Sequence, residues 1–371
     1  MKSFFCILLI LIIFSCKSNS TDKIQNTNDK IIIGERLQYS SKILNEEREI
    51  FISLPQNYNR NIHKYPVIIV MDGEYLFEVT SSIVKIKASR NEMPESIIVG
   101  IPNNTGKRSD MSLELIKKDG KKFFGNNGGK SNEYLSFINK ELIPFLEDTY
   151  RVNTHKTIIG MSPTFGPVLE AFWNNPELFN GYIVLAAELS LKTNSGETIS
   201  QKLQNSIQDS IMPKLSIYIG KAGDDLKRRP QEEADAFIEL NQKLNSKANP
   251  KINYKIEILE NENHYGMSIS GIEHGLETIY PTDIWNIPYR EFWNSENPAN
   301  EIKLFYQNLS NEYGFEIIPL EGSFYYGQTL LGTTRRLERQ GRINELKEVV
   351  ELALKYYPNS IKLKNTKSKI K

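Results

Sequence analysis

The hydrophobic positions of this chain fall into two alternating patterns. Short continuous apolar runs occur at residues 65–73, 96–101, 157–160, 182–187 and 215–220. Runs of this length predict strands that are buried on both faces of a parallel sheet. Between them, residues 134–146 and 234–244 place apolar side chains at helical spacing. Buried strands that alternate with amphipathic helices predict an α/β fold, with a mostly parallel central sheet flanked by helices.

Two segments of this α/β region have different patterns. Residues 49–54 alternate apolar and polar positions and are followed by Pro55, which predicts a half-exposed strand. Residues 103–130 are polar and contain several glycines, which predicts a surface loop over the active site. The region as a whole, residues 31–290, is predicted to form the main domain.

The strand pattern stops near residue 290. Residues 291–297 lie between two prolines and are predicted to be a linker. Three helical patterns follow, at residues 301–312, 322–340 and 343–357. The last two share an apolar seam, which is similar to one tetratricopeptide unit, although a solenoid needs about three such repeats. Residues 299–371 are therefore predicted to form a helical extension, with a surface for a protein partner.

The N-terminal segment is typical of an exported protein. Residues 4–14 are almost entirely apolar, and about ten such residues are too few to span a membrane core of about 30 Å. The residues before Cys16 resemble a bacterial lipobox, which predicts a signal peptide at 1–16, lipidation of Cys16, and a polar tether at 17–30. A cleaved signal with an incidental Cys16 is the alternative. If Cys16 is lipidated, the protein is predicted to be anchored to a membrane of the bacterial cell envelope.

Composition excludes several functional classes. The 371 residues carry a formal net charge of +1, which gives no basis for binding nucleic acid. Both cysteines lie in the first sixteen residues, so the mature chain has no thiol for disulfides or catalysis. The four histidines are widely separated, which argues against a zinc site, and no cofactor motif is found.

The candidate for chemistry is Ser162, which follows the predicted strand at 157–160. A serine on a sharp turn from a strand into a helix is raised above the carboxyl edge of the sheet, as in the nucleophile elbow of α/β-hydrolases. The Gly-x-Ser-x-Gly pattern is incomplete, because Thr164 replaces the second glycine and Pro163 has no N–H. A serine after a strand is more often only a turn or cap residue.

Suitable partners follow in the expected order of serine, acid and histidine. Asp224 and Asp225 come directly after the predicted strand at 215–220, and His264 comes after the next one. A serine hydroxyl is a weak nucleophile until an imidazole removes its proton, and the acid fixes and stabilises that imidazole. His63 and His155 precede Ser162, and His274 lies in a helical pattern, so they do not fit this order.

These segments together resemble the family of esterase D-type esterases, which includes enterochelin, feruloyl and acetylxylan esterases. The resemblance covers residues 35–290 and rests on YPVIIVMDG at 65–73, IVGIPN at 98–103, RSD at 108–110, NPELF at 175–179, IYIGKAGDD at 217–225 and NHYG at 263–266. LSNEYG at 309–314 and YPNS at 357–360 also resemble the helical extension of some bacterial members.

This resemblance implies an α/β-hydrolase fold and a serine carboxylic-ester hydrolase. Ser162 is then the nucleophile, His264 the general base and Asp225 the acid, with Asp224 as the alternative acid. The oxyanion hole is expected from Tyr75, then Glu74, and from Thr164 through its N–H or hydroxyl. A siderophore ester or an acylated polysaccharide is the expected substrate, as a small-molecule or glycan ester.

The incomplete elbow supports a second hypothesis. The residue after the nucleophile normally supplies an oxyanion N–H, and losing one such donor costs about 10²–10³ in rate. Pro163 and Thr164 therefore allow a catalytically weak or inactive esterase-fold lipoprotein that acts as a binding module.

Overall fold

A computed structural model of the chain describes residues 30–103, 108–125, 128–245 and 248–370. The predicted signal peptide with Cys16 and most of the tether lie outside the described residues, as do parts of the loop predicted at 103–130. The chain divides into two units, residues 1–32 and residues 33–371, and the description below concerns the second. Within the described ranges, no helix is both long and apolar enough to cross a membrane.

The centre of the molecule is an eight-stranded, mostly parallel sheet in the order β1-β2-β4-β3-β6-β7-β9-β10. Only β2 runs opposite to the other strands of this sheet, because it pairs antiparallel with both β1 and β4. A separate pair, β5 and β8, is antiparallel. The strands are β1 Glu35–Ser41, β2 Glu46–Ser53, β3 Tyr65–Met71, β4 Ile97–Ile101, β5 Leu115–Ile116, β6 Val152–Met161, β7 Gly181–Leu185, β8 Lys192–Thr193, β9 Leu215–Ala222 and β10 Ile252–Leu259.

Helices cover both faces of the sheet, so the predicted α/β architecture is confirmed. Alternate residues of β3 enter opposite cores, which explains why its sequence is continuously apolar. The helices are α1 Gly73–Ser89, α2 Ser131–Phe137, α3 Ile143–Thr149, α4 Phe165–Asn174, α5 Ile199–Gln208, α6 Gly223–Leu226, α7 Gln231–Leu244, α8 Met267–Ile279, α9 Thr282–Trp285, α10 Tyr289–Asn294, α11 Pro298–Tyr313, α12 Leu330–Arg339, α13 Ile343–Tyr356 and α14 Ile361–Lys369. A π-helical turn, Ile138–Leu142, joins α2 to α3.

The segment predicted as a linker is not one. Most of residues 291–297 belongs to α10, and Tyr289 and Phe292 of that helix are buried in the same core as β3. The flanking prolines bound this short helix instead of separating two domains. Two aromatic side chains three residues apart supply the buried face that stabilises it.

The C-terminal helices pack on the sheet. Ile302 of α11 and Ala353 of α13 join the core that covers one sheet face. The seam predicted between α12 and α13 is present, and it contains Leu337, Leu346, Val349 and Val350. The helix predicted from residue 322 begins only at Leu330, where the Thr329 hydroxyl accepts the N–H of Gly332 at 3.1 Å.

An aromatic cluster lies where the C-terminal helices pack on the sheet, and it makes the stability of the protein depend on pH. His155 of β6 is buried against the rings of Tyr280, Tyr313 and Phe315. Burial, with a smaller contribution from the charge of Lys156, lowers the pKa of His155 to about 3. The unfolded chain therefore binds a proton near pH 6.5 that the folded chain rejects, and stability falls by about 1.4 kcal/mol per pH unit below that value.

A His155→Phe variant should remove this acid sensitivity. Urea unfolding of the variant and the native chain at pH 7 and pH 5 measures it, with a difference in acid-induced destabilisation of about 2 kcal/mol expected. Equal losses of unfolding free energy in the two proteins would contradict the buried neutral imidazole.

Candidate active site

Ser162 lies on a tight turn at the carboxyl end of β6. The strand ends at Met161, a 3-10 turn occupies Ser162–Thr164, and α4 begins at Phe165. Ser162 has a φ of +55°, a left-handed conformation that is rare for a residue with a side chain. A Cβ on Gly160 would lie 2.3 Å from the Thr164 carbonyl oxygen, so only glycine fits there. This backbone has the geometry of a nucleophile elbow.

Ser162 is partly exposed, whereas the elbow residues around it are buried. The Ser162 side chain is half-buried, and its hydroxyl has no hydrogen bond to any of the described residues. Pro163 is buried and occupies the turn that leads into α4, where its missing N–H costs the helix nothing. A Cβ on Gly166 would lie 2.4 Å from the Met111 carbonyl oxygen. The start of the loop predicted at 103–130 is therefore packed against the elbow and is not wholly a surface segment.

His264 and Asp225 form a hydrogen-bonded pair at the same edge of the sheet. The distance from His264 Nδ1 to Asp225 Oδ2 is 2.7 Å, with 28% of the histidine and 14% of the aspartate side chain exposed. The neighbouring Asp224 instead forms an ion pair with Lys227, at 2.7 Å, on the surface. Of the two predicted acids, Asp225 is the one in contact with the imidazole.

The charge state of Asp225 fixes the tautomer of His264. Burial raises the pKa of Asp225, but the hydrogen bond and charge of His264, with the charges of Lys221 and Arg229, outweigh it, and the net pKa is lowered. A carboxylate only accepts hydrogen bonds, so Nδ1 of His264 carries a proton in this pair. In the neutral imidazole, Nε2 then has a free lone pair.

The loop that carries His264 reaches the helix that follows β3. The Tyr75 hydroxyl donates to the Tyr265 carbonyl oxygen at 2.7 Å. Tyr75 lies on α1, which follows β3, whereas His264 follows β10, and β6 lies between these strands in the sheet. The contact therefore joins the histidine loop to the helix that follows β3, the strand next to the one that ends at Ser162. No hydrogen bond joins Ser162 to His264 among the described residues, and bonds of this kind often form only when a substrate binds.

The remaining histidines lie elsewhere in the fold. His155 is buried in the aromatic cluster, and His274 of α8 pairs with Glu257 at 2.8 Å. His63, just before β3, contacts Glu316 at 3.2 Å. The structure places none of these three in contact with Asp225.

The first turn of α1 faces the elbow and contains the predicted oxyanion residues. The N–H of Tyr75 donates to the Asp72 carbonyl oxygen at 2.8 Å, and its hydroxyl is used by Tyr265. The N–H of Glu74 has no partner among the described residues, as is usual for the first amides of a helix. Within this turn, Glu74 is therefore better placed than Tyr75 to donate to a developing oxyanion.

Two residues that the sequence reasoning gave no role hold this turn to the elbow. Asp72, the N-cap of α1, has a φ of +54° and is almost fully buried. Arg108 donates to both of its carboxylate oxygens, at 2.6 and 2.7 Å, and to the Met161 carbonyl oxygen at 3.1 Å. The Thr164 hydroxyl also reaches Asp72 Oδ2, at 2.7 Å. The hydroxyl of Thr164, which was one of the two predicted donors of this residue, is thus bonded to Asp72.

Comparison with known proteins agrees with this geometry. The family model described as putative esterase matches residues 41–310. The chain belongs to this esterase family. Its membership confirms the resemblance seen in the sequence and the assignment to ester-hydrolysing enzymes at the level of the family.

Individual similar proteins share between 16% and 31% of their residues with this chain over the aligned regions. The uncharacterized protein YjcH of Bacillus subtilis is 31% identical over 152 residues, which are 40% of this chain and 58% of that protein. The chain thus spans about half the length of the curated relatives it matches. An IroE-like serine hydrolase from Shewanella oneidensis has a TM-score of 0.65 and 21% identity, over 91% of this chain and 100% of the other. The siderophore hydrolase EstB from Aspergillus nidulans has a TM-score of 0.53 and 16% identity, over 70% and 99%. At these identities the two structures show the shared fold.

A buried charged cluster lies next to the strand that leads to Asp225. Lys221 of β9 is fully buried and donates to Glu188 at 3.0 Å, and Arg229 donates to the same carboxylate oxygen at 2.8 Å. Glu233 accepts the N–H groups of Leu189 and Ser190, at 2.6 and 2.9 Å. These contacts connect the segment after β7 to the strand that leads to Asp225. No group of three or more side chains in the described ranges is arranged to hold a metal ion.

Proposed function

We propose that this protein is a serine carboxylic-ester hydrolase that acts through an acyl-enzyme. Ser162 is the nucleophile, His264 the general base and Asp225 the acid that orients it. The observation that carries the proposal is the 2.7 Å contact between His264 and Asp225, at the edge of the sheet where Ser162 stands on its elbow. Membership of the esterase family supports the same chemistry.

The proposed reaction begins with proton transfer. Because Nδ1 of His264 is bonded to Asp225, Nε2 accepts the proton of the Ser162 hydroxyl as its oxygen attacks the ester carbonyl. The resulting imidazolium is stabilised by the Asp225 carboxylate. It then donates the proton to the leaving alcohol, and the acyl group remains on Ser162. A water molecule that gives a proton to His264 then attacks the acyl carbon. His264 returns the proton to the Ser162 oxygen as the acyl–oxygen bond breaks and the carboxylic acid product leaves.

The oxyanion of the tetrahedral intermediate needs donors other than Pro163. We assign the first to the N–H of Glu74 in the open turn of α1. The positive end of α4, which begins just after the elbow, adds a favourable potential. The N–H of Thr164 remains the predicted second donor.

The proposed substrate is an ester of one of two classes. The likeness to a siderophore hydrolase makes a siderophore ester the first candidate, and an acylated polysaccharide is the second. Both require an ester carbonyl to reach the half-buried Ser162. The lipid anchor at Cys16 and the envelope location stay predictions of the sequence.

Labelling with an aryl fluorophosphonate tests the nucleophile. We expect the probe to modify the native protein at one residue, with the phosphonyl mass added to the peptide that contains Ser162. Phosphonylation requires the activated hydroxyl, so a Ser162→Ala variant should remain unlabelled.

A Ser190→Ala variant provides the matched control. Ser190 also lies near the carboxyl edge of the sheet, but its hydroxyl is bonded to Glu233 at 2.5 Å, so the variant should label like the native protein. Labelling that persists in Ser162→Ala, or no labelling of the native protein together with no hydrolysis of aryl esters, would contradict the proposed function.

A further inference from the structure

The carboxylate of Asp72 accepts hydrogen bonds from two other parts of the active site, the Arg108 loop and the elbow. Its own backbone begins α1, whose open turn contains Glu74. Arg108, from the loop after β4, donates to Oδ1 and Oδ2 at 2.6 and 2.7 Å. Thr164, from the elbow, contacts Oδ2 at 2.7 Å. We call these three residues the Asp72 clamp.

The elbow side of the clamp is fully buried. Thr164 has no exposed surface, and its hydroxyl oxygen accepts the Met161 N–H at 2.9 Å. The single hydroxyl hydrogen can go to Asp72 at 2.7 Å or to the Met161 carbonyl oxygen at 2.9 Å. The shorter contact to the charged oxygen is the stronger one. A buried hydroxyl bonded on both sides leaves the elbow little freedom to shift relative to α1.

Arg108 completes the connection. One of its terminal nitrogens donates to Asp72 and also to the Met161 carbonyl oxygen, at 3.1 Å, directly before Ser162. Two parallel bonds between guanidinium and carboxylate fix the orientation of both groups. Asp72 follows β3 and Thr164 follows β6, and these two strands are neighbours in the sheet. The clamp therefore joins their carboxyl ends beyond the last backbone pair.

We propose that the Asp72 clamp positions the α1 turn against the nucleophile elbow, and that Thr164, Arg108 and Asp72 are positioning residues for the oxyanion site. This inference rests on the proposed function of Ser162. It gives Thr164 a role through its hydroxyl that a glycine could not fill. With Pro163 unable to donate, the reaction depends more heavily on the amide of α1, and hence on the placement of α1. Misplacing such a donor by about 1 Å costs up to about a hundredfold in rate.

The matched pair Thr164→Val and Thr164→Ser tests the inference. Valine keeps the shape of threonine and loses the hydroxyl, whereas serine keeps the hydroxyl. We expect kcat of an aryl ester to fall by about tenfold to a hundredfold in Thr164→Val, with KM changed by less than about threefold. Thr164→Ser should recover kcat to within about threefold of the native value.

Binding of an aryl trifluoromethyl ketone gives a second readout. This compound forms a tetrahedral oxyanion on the serine, so its affinity should fall in Thr164→Val by the same factor as kcat/KM. A variant that is only less stable would lose folded protein without weakening the ketone binding of the folded fraction. If Thr164→Val fails to fold, Arg108→Lys removes the paired bonds to the same carboxylate from a partly exposed position, and the same loss is expected.

The outcomes separate the two proposals. Native kcat and ketone affinity in both Thr164→Val and Arg108→Lys would overturn the clamp and leave the serine hydrolase intact. A native protein without hydrolysis, ketone binding or phosphonate labelling would instead overturn the proposed function itself.

Discussion

A His264→Gln variant is expected to lose ester hydrolysis by about 10⁴–10⁶ in kcat. Glutamine can still contact Asp225, but it cannot take a proton from Ser162 or return one to the leaving alcohol. KM for an aryl ester should change little, because the binding surface remains. Steady-state kinetics of the purified variant measure the effect, with circular dichroism to show that the protein is folded.

His274→Gln is the matched control for this prediction. His274 also bonds a carboxylate through Nδ1, that of Glu257 at 2.8 Å, and it lies on the helix that follows the His264 loop. Its replacement should change kcat/KM by less than about twofold. Comparable losses in the two variants, or a His264→Gln enzyme that retains more than about 1% of native activity, would show that His264 is not the base.

The second large effect is expected at Asp225. In Asp225→Asn, the amide group can donate to Nδ1 of His264 and so favour the tautomer with a proton on Nε2, which cannot act as a base. The loss of the negative charge also destabilises the imidazolium. We expect kcat to fall by about 10³–10⁴.

Asp224→Asn distinguishes the two adjacent acids. Asp224 bonds Lys227 on the surface and has no contact with His264 among the described residues, so kcat should stay within about twofold of the native value. The kinetics of the two variants are compared under identical conditions. Equal losses would mean that the chemistry depends on the net charge of this turn and not on the Asp225–His264 hydrogen bond.

The sequence predicts the parts of the site that depend on strand ends. In a parallel sheet, residues that follow neighbouring strands meet at one edge, so Ser162, Asp225 and His264 could be grouped without coordinates. The choice between Asp224 and Asp225 could not be made, because it depends on which side chain of a short helical turn faces the imidazole.

The sequence does not predict the Asp72 clamp, for a different physical reason. The hydroxyl of Thr164 and the carboxylate of Asp72 are 92 positions apart, and Arg108 lies in a polar loop with no periodic pattern. The sequence therefore presented Thr164 as a replaced glycine and as an oxyanion donor, but not as a partner of Asp72. Helix α10 was missed for a similar reason. A polar segment between two prolines has the composition of a linker, and the sequence does not show that its aromatic side chains pack in the core.

The strand order also determines when this site forms during synthesis. Ser162, the proposed nucleophile, is translated about 60 residues before Asp225 and about 100 before His264, and β7 must pair between β6 and β9 before the three residues meet. Such non-local pairing is slow compared with the folding of a hairpin or a helix. A ribosome-bound chain that ends before residue 264 already contains the elbow but has no general base. The growing polypeptide is therefore expected to have no esterase activity until β10 and the loop after it have joined the sheet.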